Sequence, residues 1–216
     1  CNIRGLLKGD EGMLEPAVRC ILDNPDSYGK INYLSNYYGF TFADMVAYQE
    51  KHNEANGEQN RDGTDYNCTW NCGAEGISRK QTVLELRKQQ IKNAFALLFL
   101  SQGMPLIYMG DEFGRTQKGN NNPYCQDNEI TWVNWKLAEK NEELLNYVKE
   151  CIELRIKYKV FSAKKAYALS DYKDVGCPDL SFHDKDAWKY SWGENEHHIG
   201  ILFNGDYVCR CERDLY

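Results

Sequence analysis

Apolar positions along the 216-residue chain fall into a few periodic runs separated by long polar stretches. Between Lys8 and Asn24, Met13, Leu14, Ala17, Val18, Ile21 and Leu22 recur at helical spacing, and Asn24-Pro25-Asp26 stops the run. Ile31-Asn-Tyr-Leu-Ser35 then reads as a short strand. Thr41 to Lys51 follows as a predicted helix, with Thr41 as N-cap, Asp44 in the first turn, and Phe42, Met45 and Val46 turned inward. Ser78-Arg-Lys-Gln81 has the capping-box pattern and opens a long helix, Arg79 to Ser101. Val83, Leu86, Gln90, Ala94 and Leu97 mark one line of it, with Leu84, Ile91, Phe95 and Leu98 beside them. Residues 94–100 are apolar nearly all round, so that half is expected to be deeply buried. Gly103 ends the helix and Pro105 prevents its return. The apolar run Leu106-Ile-Tyr-Met109, bounded by Pro and Gly, is a second short strand. Strand, helix, strand in that order is a βαβ unit, which implies a parallel pair and a right-handed crossover.

Further on, Ile130 to Trp135 is amphipathic, and Asn141 to Tyr158 is a helix with Leu144, Leu145, Val148, Ile152 and Ile156 on one side. Beyond Phe161 the pattern changes to short strand candidates: 166–169, Ser181-Phe182, 187–190 and 199–203. Asn204-Gly205 is a hairpin-turn signal with Tyr207-Val-Cys209 as the return strand. A boundary therefore falls near residue 165, between an α/β part and an antiparallel β part.

Two polar stretches interrupt the α/β part. Residues 52–77 carry almost no apolar periodicity and read as one long loop pinned by Trp70, either plain surface or a lid over a site. Residues 116–128 form a second loop, centred on Gly119-Asn-Asn-Asn-Pro123. It follows Gly110-Asp-Glu-Phe-Gly114 at the carboxyl end of the second strand, where parallel α/β folds handle ligands. Asp111 and Glu112 look like a carboxylate pair, but neighbours on an extended strand point to opposite faces. The reading preferred is that they bond backbone and Arg at the mouth of the fold.

Composition narrows the function. Net charge is −6 with no basic cluster, so nucleic acid is not expected as a partner. No apolar run approaches the ~18 residues of a membrane span, and no secretory leader is visible. The chain opens at Cys1 without an initiator Met and is expected to be a piece of a longer protein. Nine cysteines are present, with Cys68 and Cys72 as C-x3-C and Cys209 and Cys211 as C-x-C. Those spacings, with His197 and His198 adjacent, do not make a zinc set. No metal and no cofactor are expected, and the thiols read as reduced, cytoplasmic cysteines. No serine sits in a nucleophile elbow. Aromatics are 13% of residues, a composition that suits sugar binding but equally ordinary core filling.

Several long polar motifs together resemble the glycogen-debranching and isoamylase branch of the α-amylase family. They are Tyr48-Gln-Glu-Lys-His-Asn-Glu-Ala-Asn-Gly57, Asn60-Arg-Asp-Gly63, Asn71-Cys-Gly73, Leu100-Ser-Gln-Gly103, Gly110-Asp-Glu-Phe-Gly-Arg-Thr-Gln117, Gly119-Asn-Asn-Asn122 and Tyr124-Cys-Gln-Asp-Asn128. Residues 4–14 and 184–192 fit the same resemblance, which spans nearly the whole chain. It implies an α/β chain: residues 1–165 as the C-terminal part of a (β/α)8 TIM barrel and 166–216 as the start of an antiparallel β-sandwich. Within the barrel part, residues 31–35 would be strand seven and 106–109 strand eight.

The family implied hydrolyses α-1,6 glucan branches with retention, using a nucleophile and an acid/base carboxylate roughly 5 Å apart, plus a third carboxylate. The resemblance puts the first two at the ends of strands four and five, which would precede Cys1. The third should follow strand seven in a His-Asp-Gly-Phe motif, which here reads Tyr37-Tyr38-Gly39-Phe40. Tyr37 stands at the His position and Tyr38 at the Asp position. A phenol, with pKa about 10, brings no negative charge at pH 7. No catalytic residue is therefore assigned, and the chain alone is expected to be inactive. The tyrosine pair reads alternatively as an aromatic platform for a glucose ring, or as drift. The substrate-binding candidates are Tyr37, Tyr38, His52, Asn53 and Glu112, with an α-glucan as ligand. A non-catalytic glucan-binding or interaction module is the alternative function. Two strands leave open edges and an uncovered face. Self-association, complementation by the missing barrel half, or rearrangement of the helices into a bundle is the expected remedy.

Overall fold

The computed structural model describes residues 2–208 and 214–216. The return strand expected to end at Cys209, and the Cys209/Cys211 pair, thus fall partly or wholly outside the described residues. Two helices open the chain, α1 (Asn2–Lys8) and α2 (Leu14–Leu22). Helix α2 is the helical run read from the sequence, starting later because Gly9 and Gly12 adopt left-handed backbone (φ +88° and +68°) and turn the chain. Its Leu14, Ala17, Val18 and Ile21 are buried.

Strand β1 (Ile31–Asn32) pairs in parallel with β2 (Met104–Pro105), Ile31 opposite Met104 and Asn32 opposite Pro105. The amides of Met104 and Leu106 donate to the carbonyls of Lys30 and Asn32, both at 2.8 Å. The second strand is thus paired two residues upstream of the run 106–109 expected from the sequence. Proline has no amide hydrogen, and Pro105 occupies the register position between the two donors, which asks nothing of it. The helices have not rearranged into a bundle. They cover one side of the pair and leave Ile31 and Met104 more than half exposed, at 57% and 66%.

Between the strands run α3 (Phe42–Met45) and α4 (Gln81–Leu100). The Thr41 hydroxyl caps α3, accepting from the Asp44 amide at 3.1 Å. The helix was expected to continue to Lys51. It stops because the following loops take its carbonyls: Trp70 donates to Met45 and Gly76 donates to Ala47. The capping box at Ser78 is not formed either. The Ser78 hydroxyl accepts from the Lys80 amide, and Gln81 donates to Glu85 instead. Helix α4 buries Val83, Arg87, Ile91, Ala94, Phe95, Leu98 and Phe99, while Leu84 stays on the surface. The apolar second half is sunk in the core as expected, with the Phe42 and Phe95 rings 4.6 Å apart.

After β2 come α5 (Lys136–Lys140) and α6 (Glu142–Lys157). The main core gathers Phe40, Phe42, Met45, Phe95, Phe99, Leu144 and Val148, with Trp70 packed against it. Each such side chain contributes roughly 1.5–3 kcal/mol through burial. The amphipathic stretch 130–135 forms no regular element. Gln102, wholly buried, ties three parts of the chain. Its amide donates to the Ile21 carbonyl, its side chain donates to the Val160 carbonyl, and its Oε1 accepts from Ala163.

A second, smaller core holds Val160, Phe161, Leu180 and Phe203. It lies under an antiparallel hairpin, β3 (Leu180–His183) and β4 (Gly200–Phe203). The strand candidates at 166–169 and 187–190 have no ladder partner among the described residues. Asn204-Gly205 does not turn a hairpin. The Asn204 side chain caps a 3-10 turn, Gly205–Tyr207, which sends the chain on, and Leu215 returns to bridge Phe203. No helix of the described residues is long and apolar enough to cross a membrane.

Candidate functional site

The carboxyl ends of β1 and β2 open into two turns that share one buried carboxylate. After β1, the Asn36 side chain accepts from the Tyr38 amide at 2.8 Å, and Gly39 (φ +118°) turns the chain inward. This tight turn pushes Tyr37 and Tyr38 into solvent, 79% and 50% exposed. After β2, Gly110 and Gly114 (φ +96° and +76°) bracket a 3-10 turn, Asp111–Phe113. Asp111 is fully buried and accepts from the Ser35 hydroxyl and, at 2.9 Å, from the Phe42 amide. Burial pushes its carboxyl up to about 7, against the two donors, with Asp44 and Glu112 adding to the rise. Asp44, also fully buried, accepts from the Thr116 hydroxyl and from the Gln117 amide at 2.7 Å. Burial raises its pKa as well. The two buried carboxylates thus staple both post-strand loops.

The expectation for the Asp111–Glu112 pair needs correction. The backbone there is a helical turn, not extended strand, and Asp111 bonds a serine and a backbone amide rather than an arginine. Glu112 accepts from the Gly110 amide at 2.8 Å. Of the sequence reading, the backbone role stands. The nearby Arg4 donates to the carbonyls of Leu34 and Asn67. Burial lowers its pKa, with Cys68 and Asp111 opposing.

The two long polar loops are joined by a lattice of side-chain amides. Asn53 Oδ1 accepts from the Asn121 amide at 3.0 Å, and Asn53 Nδ2 donates to Asn121 Oδ1 at 2.9 Å. Asn121 Nδ2 donates to the Thr64 carbonyl at 2.8 Å and to Asn67 Oδ1 at 2.9 Å. The Asn121 carbonyl accepts from Gly39 at 2.8 Å, which ties the lattice to the tyrosine turn. Around it, Asp62 accepts from Asn56 at 2.7 Å and Asn122 at 3.1 Å. Burial pushes the Asp62 carboxyl up, but these amide donors outweigh it and leave it below its ordinary value. Residues 52–77 are therefore a built wall beside the strand ends, not loose surface.

The expected site residues separate here. Tyr37 and Tyr38 lie at the rim. His52 is partly exposed at the start of the first long loop. Its ring lies 3.4 Å from Glu75 and edge-on to Tyr48, and its amide donates to Gly119 at 2.7 Å. Burial raises Glu75, but donors from Asn71, Gln49 and Glu50 hold it below the ordinary carboxylate range. Glu112 is partly buried. Asn53, expected to touch sugar, has no exposed surface, because every polar atom of its side chain is spent on the lattice. It shapes the rim from beneath. Sequence reasoning missed the supports Asp44, Asn121 and Arg87. Arg87 sits in the buried line of α4, donating to the carbonyls of Asn71, Ala74 and Gly76 and closing the end of the first loop. The only signal for it was a charge at an apolar helix position.

The rim thus offers phenols and an imidazole, groups that bond and stack on neutral polar ligands. The two carboxyls whose pKa ends above the ordinary value, Asp44 and Asp111, are fully buried and out of a ligand's reach. Away from the rim, the fold gathers Asp184, Glu196 and His198, their ligand atoms within 4.8 Å of one another. His198 Nε2 lies 2.8 Å from Asp184 Oδ1, so a hydrogen bond accounts for the arrangement.

A short parallel strand pair with helices on one side and built polar loops at its carboxyl ends defines an α/β protein with part of an α-amylase-type fold. Solved structures agree. A pullulanase from Bacillus acidopullulyticus superposes with TM-score 0.65 at 16% identity, covering 99% of this chain and 23% of that one. A pullulanase from Paenibacillus barengoltzii, in complex with maltohexaose and alpha-cyclodextrin, gives TM-score 0.56 at 19% identity, over 84% and 24%. No family model matches the chain. Curated relatives are closer in sequence. The glycogen operon protein GlgX homolog of Mycobacterium tuberculosis is 50% identical over 185 residues, 82% of this chain and 25% of that protein. Isoamylase 1, chloroplastic, of Oryza sativa subsp. japonica is 34% identical over 207 residues, 92% and 25%. The glycogen debranching enzyme of Pectobacterium carotovorum is 38% identical over 189 residues, 88% and 28%. The chain belongs to the glycogen-debranching and isoamylase branch of the α-amylase family and spans about a quarter of the length of these relatives.

Proposed function

We propose that this chain is the part of an α-1,6-glucan debranching glycoside hydrolase that carries strands seven and eight of the (β/α)8 barrel, in residues 1–165. Residues 166–216 begin the C-terminal β-sandwich. In this reading β1 and β2 are the two barrel strands and α4 is the outer helix between them. The single observation that supports it most is the parallel pair with its amide-latticed loops, in a sequence 50% identical over 185 residues to a glycogen operon protein homolog.

The proposed role of these residues is to build one wall of an α-glucan site. Tyr37 and Tyr38 offer ring faces at the rim. His52 and Glu112 offer hydrogen-bonding groups to sugar hydroxyls. Asn53 holds the wall in place. The nucleophile and the acid/base are proposed to lie on strands outside this chain, and Tyr38 cannot supply the third negative charge. An active site of this type draws a large share of its rate from such charges, with about a hundredfold or more lost for each one removed. Purified alone, the chain is therefore proposed to be inactive. Its open strand edges are proposed to be covered by the remaining barrel or by a second copy. A cytoplasmic location follows the same reading, with glycogen-like polymers as substrate.

The test is release of reducing ends from glycogen and pullulan by the purified chain and by its Tyr38→Asp variant. Neither is expected to show activity, because one restored carboxylate cannot replace three. Measurable debranching by the unaltered chain would overturn the assignment of the chemistry to missing strands.

A further inference from the structure

A cleft of about 390 Å³ separates α2 from the hairpin β3–β4. One wall is aromatic. Phe182, Tyr190 and Trp192 have ring centroids 5.3 Å apart in all three pairs, with planes inclined by 59° to 74°. The opposite wall is ionic. Glu15 and Arg19 lie one turn apart on α2, with Val18 and Leu22 between and beside them, and Asp23 follows at the extended C-cap of the helix.

Tyr190 and Trp192 lie outside the small core beneath the hairpin. The small core is formed by Val160, Phe161, Leu180 and Phe203, with Phe182 packed on its edge. Tyr190 is 48% exposed and Trp192 partly so. Yet the segment that bears them is held in place. Asp184 donates its amide to the Lys189 carbonyl at 2.7 Å, and the Trp188 amide donates to His183 Nδ1 at 2.9 Å. The Gly12 amide donates to the Glu194 carbonyl at 2.9 Å, fastening the segment to the turn before α2. Large rings kept half in water on a fixed support are a costly way to make surface and a good way to make a binding wall.

We propose that this cleft is a second carbohydrate-binding site, taking one or two pyranose rings of an α-glucan chain. The three rings pack edge-to-face on one another and present a continuous apolar surface, with Tyr190 the most exposed, on which the C–H face of a pyranose can stack. The facing side chains supply both kinds of partner that hydroxyls need: the Arg19 guanidinium as donor, the Glu15 and Asp23 carboxylates as acceptors. Arg19 bridges Glu15 at 2.6 Å and Lys30 bridges Asp23 at 3.0 Å, so the wall is near neutral and suits an uncharged ligand better than an anion or a cation. The choice of α-glucan rests on the proposed function above. The site itself stands on its own geometry and shares no lining residue with the tyrosine rim.

The test uses the whole chain labelled with 5-fluorotryptophan and titrated with maltotetraose, with glycerol as control. The Trp192 fluorine resonance, assigned by its loss in Trp192→Phe, is expected to shift saturably with maltotetraose and not with glycerol. Tyr190→Ala is expected to weaken the midpoint about tenfold, the loss of one stacking contact. Arg19→Ala, a change at a side chain 77% exposed and therefore of small expected effect on stability, is expected to weaken it as well. A Trp192 resonance that stays still, or a midpoint unchanged in Arg19→Ala, overturns the proposal. Tyr37→Ala with Tyr38→Ala separates the two sites. If it abolishes retardation of the chain in a glycogen gel while Trp192 is silent in the unaltered chain, the rim reading stands and the cleft falls. If Trp192 responds and the double variant is retarded as before, the cleft stands and the rim falls.

Discussion

Replacing Asn121 by Asp changes one side-chain atom and almost no volume, yet it should dismantle the wall beside the strand ends. Asn121 has no exposed surface. Its Oδ1 accepts from Asn53, and its Nδ2 donates twice, to the Thr64 carbonyl and to Asn67 Oδ1. Aspartate keeps the acceptor and turns the double donor into a charged acceptor. Two oxygens that were bonded then face a third oxygen in a site closed to water. Each buried polar group left unsatisfied costs about 1–3 kcal/mol, and burying an unpaired charge costs more. Two orphaned acceptors therefore put Asn121→Ala at roughly 2–5 kcal/mol, and Asn121→Asp at least as high near neutral pH. A domain of this size has about 5–15 kcal/mol in all, so the loss is severe. It should also be local, since the main core under α4 and α6 does not use these groups. Amide hydrogen exchange read by mass spectrometry should show residues 52–77 and 116–128 losing protection together, with 91–99 holding theirs. Urea unfolding should give the order unaltered chain, then Asn121→Ala, then Asn121→Asp. If the Asn121→Asp variant matches the unaltered chain within about 0.5 kcal/mol, the lattice is decoration and the reasoning fails.

Three further outcomes follow from other parts of the molecule. Asp111 has a folded pKa of about 7, above its unfolded value, so the folded state holds its proton longer than the unfolded state does. Stability should then fall as pH rises from about 4 to about 7, by an amount of order 4 kcal/mol from this group alone, and level off above. Asp111→Asn, which can still accept from Phe42, should flatten that slope in urea titrations at about pH 5 and about pH 8; an unchanged slope would discard the assignment. Gly103 has φ +87°, and a Cβ there would lie 2.8 Å from the Lys30 carbonyl that receives the Met104 amide. Gly103→Ala should cost about 2 kcal/mol or more and lower the thermal midpoint, whereas a neutral result would mean the strand junction is looser than described. Arg155 donates to the carbonyls of Phe99, Ser101 and Gly103 at the end of α4. Arg155→Met should destabilise the chain by about 2–4 kcal/mol with little dependence on salt, and a loss that salt erases would point to surface attraction instead.

Much of this was legible from residue order. The spacing of Leu14, Ala17, Val18 and Ile21 set a helix, as did that of Leu144 and Val148, because one apolar stripe must be buried whatever it meets. Thr41 announced a cap, and the all-round apolarity of 94–100 announced a central position. The parallel pair followed from two short apolar runs flanking a helix, and the motif blocks pointed to the family before any coordinates did. Other features depended on partners distant in sequence. The helix after Thr41 ends early because carbonyls at Met45 and Ala47 are claimed by Trp70 and Gly76. Strand β2 begins at Met104 because the amides that Lys30 and Asn32 can receive are those of Met104 and Leu106. Asn53 turned from a rim contact into a hidden support because its partner, Asn121, lies 68 residues away. Local pattern measures how a segment pairs with water and with itself, so it determines stripes, caps and turns. Which buried amide meets which carbonyl, and which tyrosine is left in solvent, is decided only when separate segments compete for the same hydrogen bonds in three dimensions.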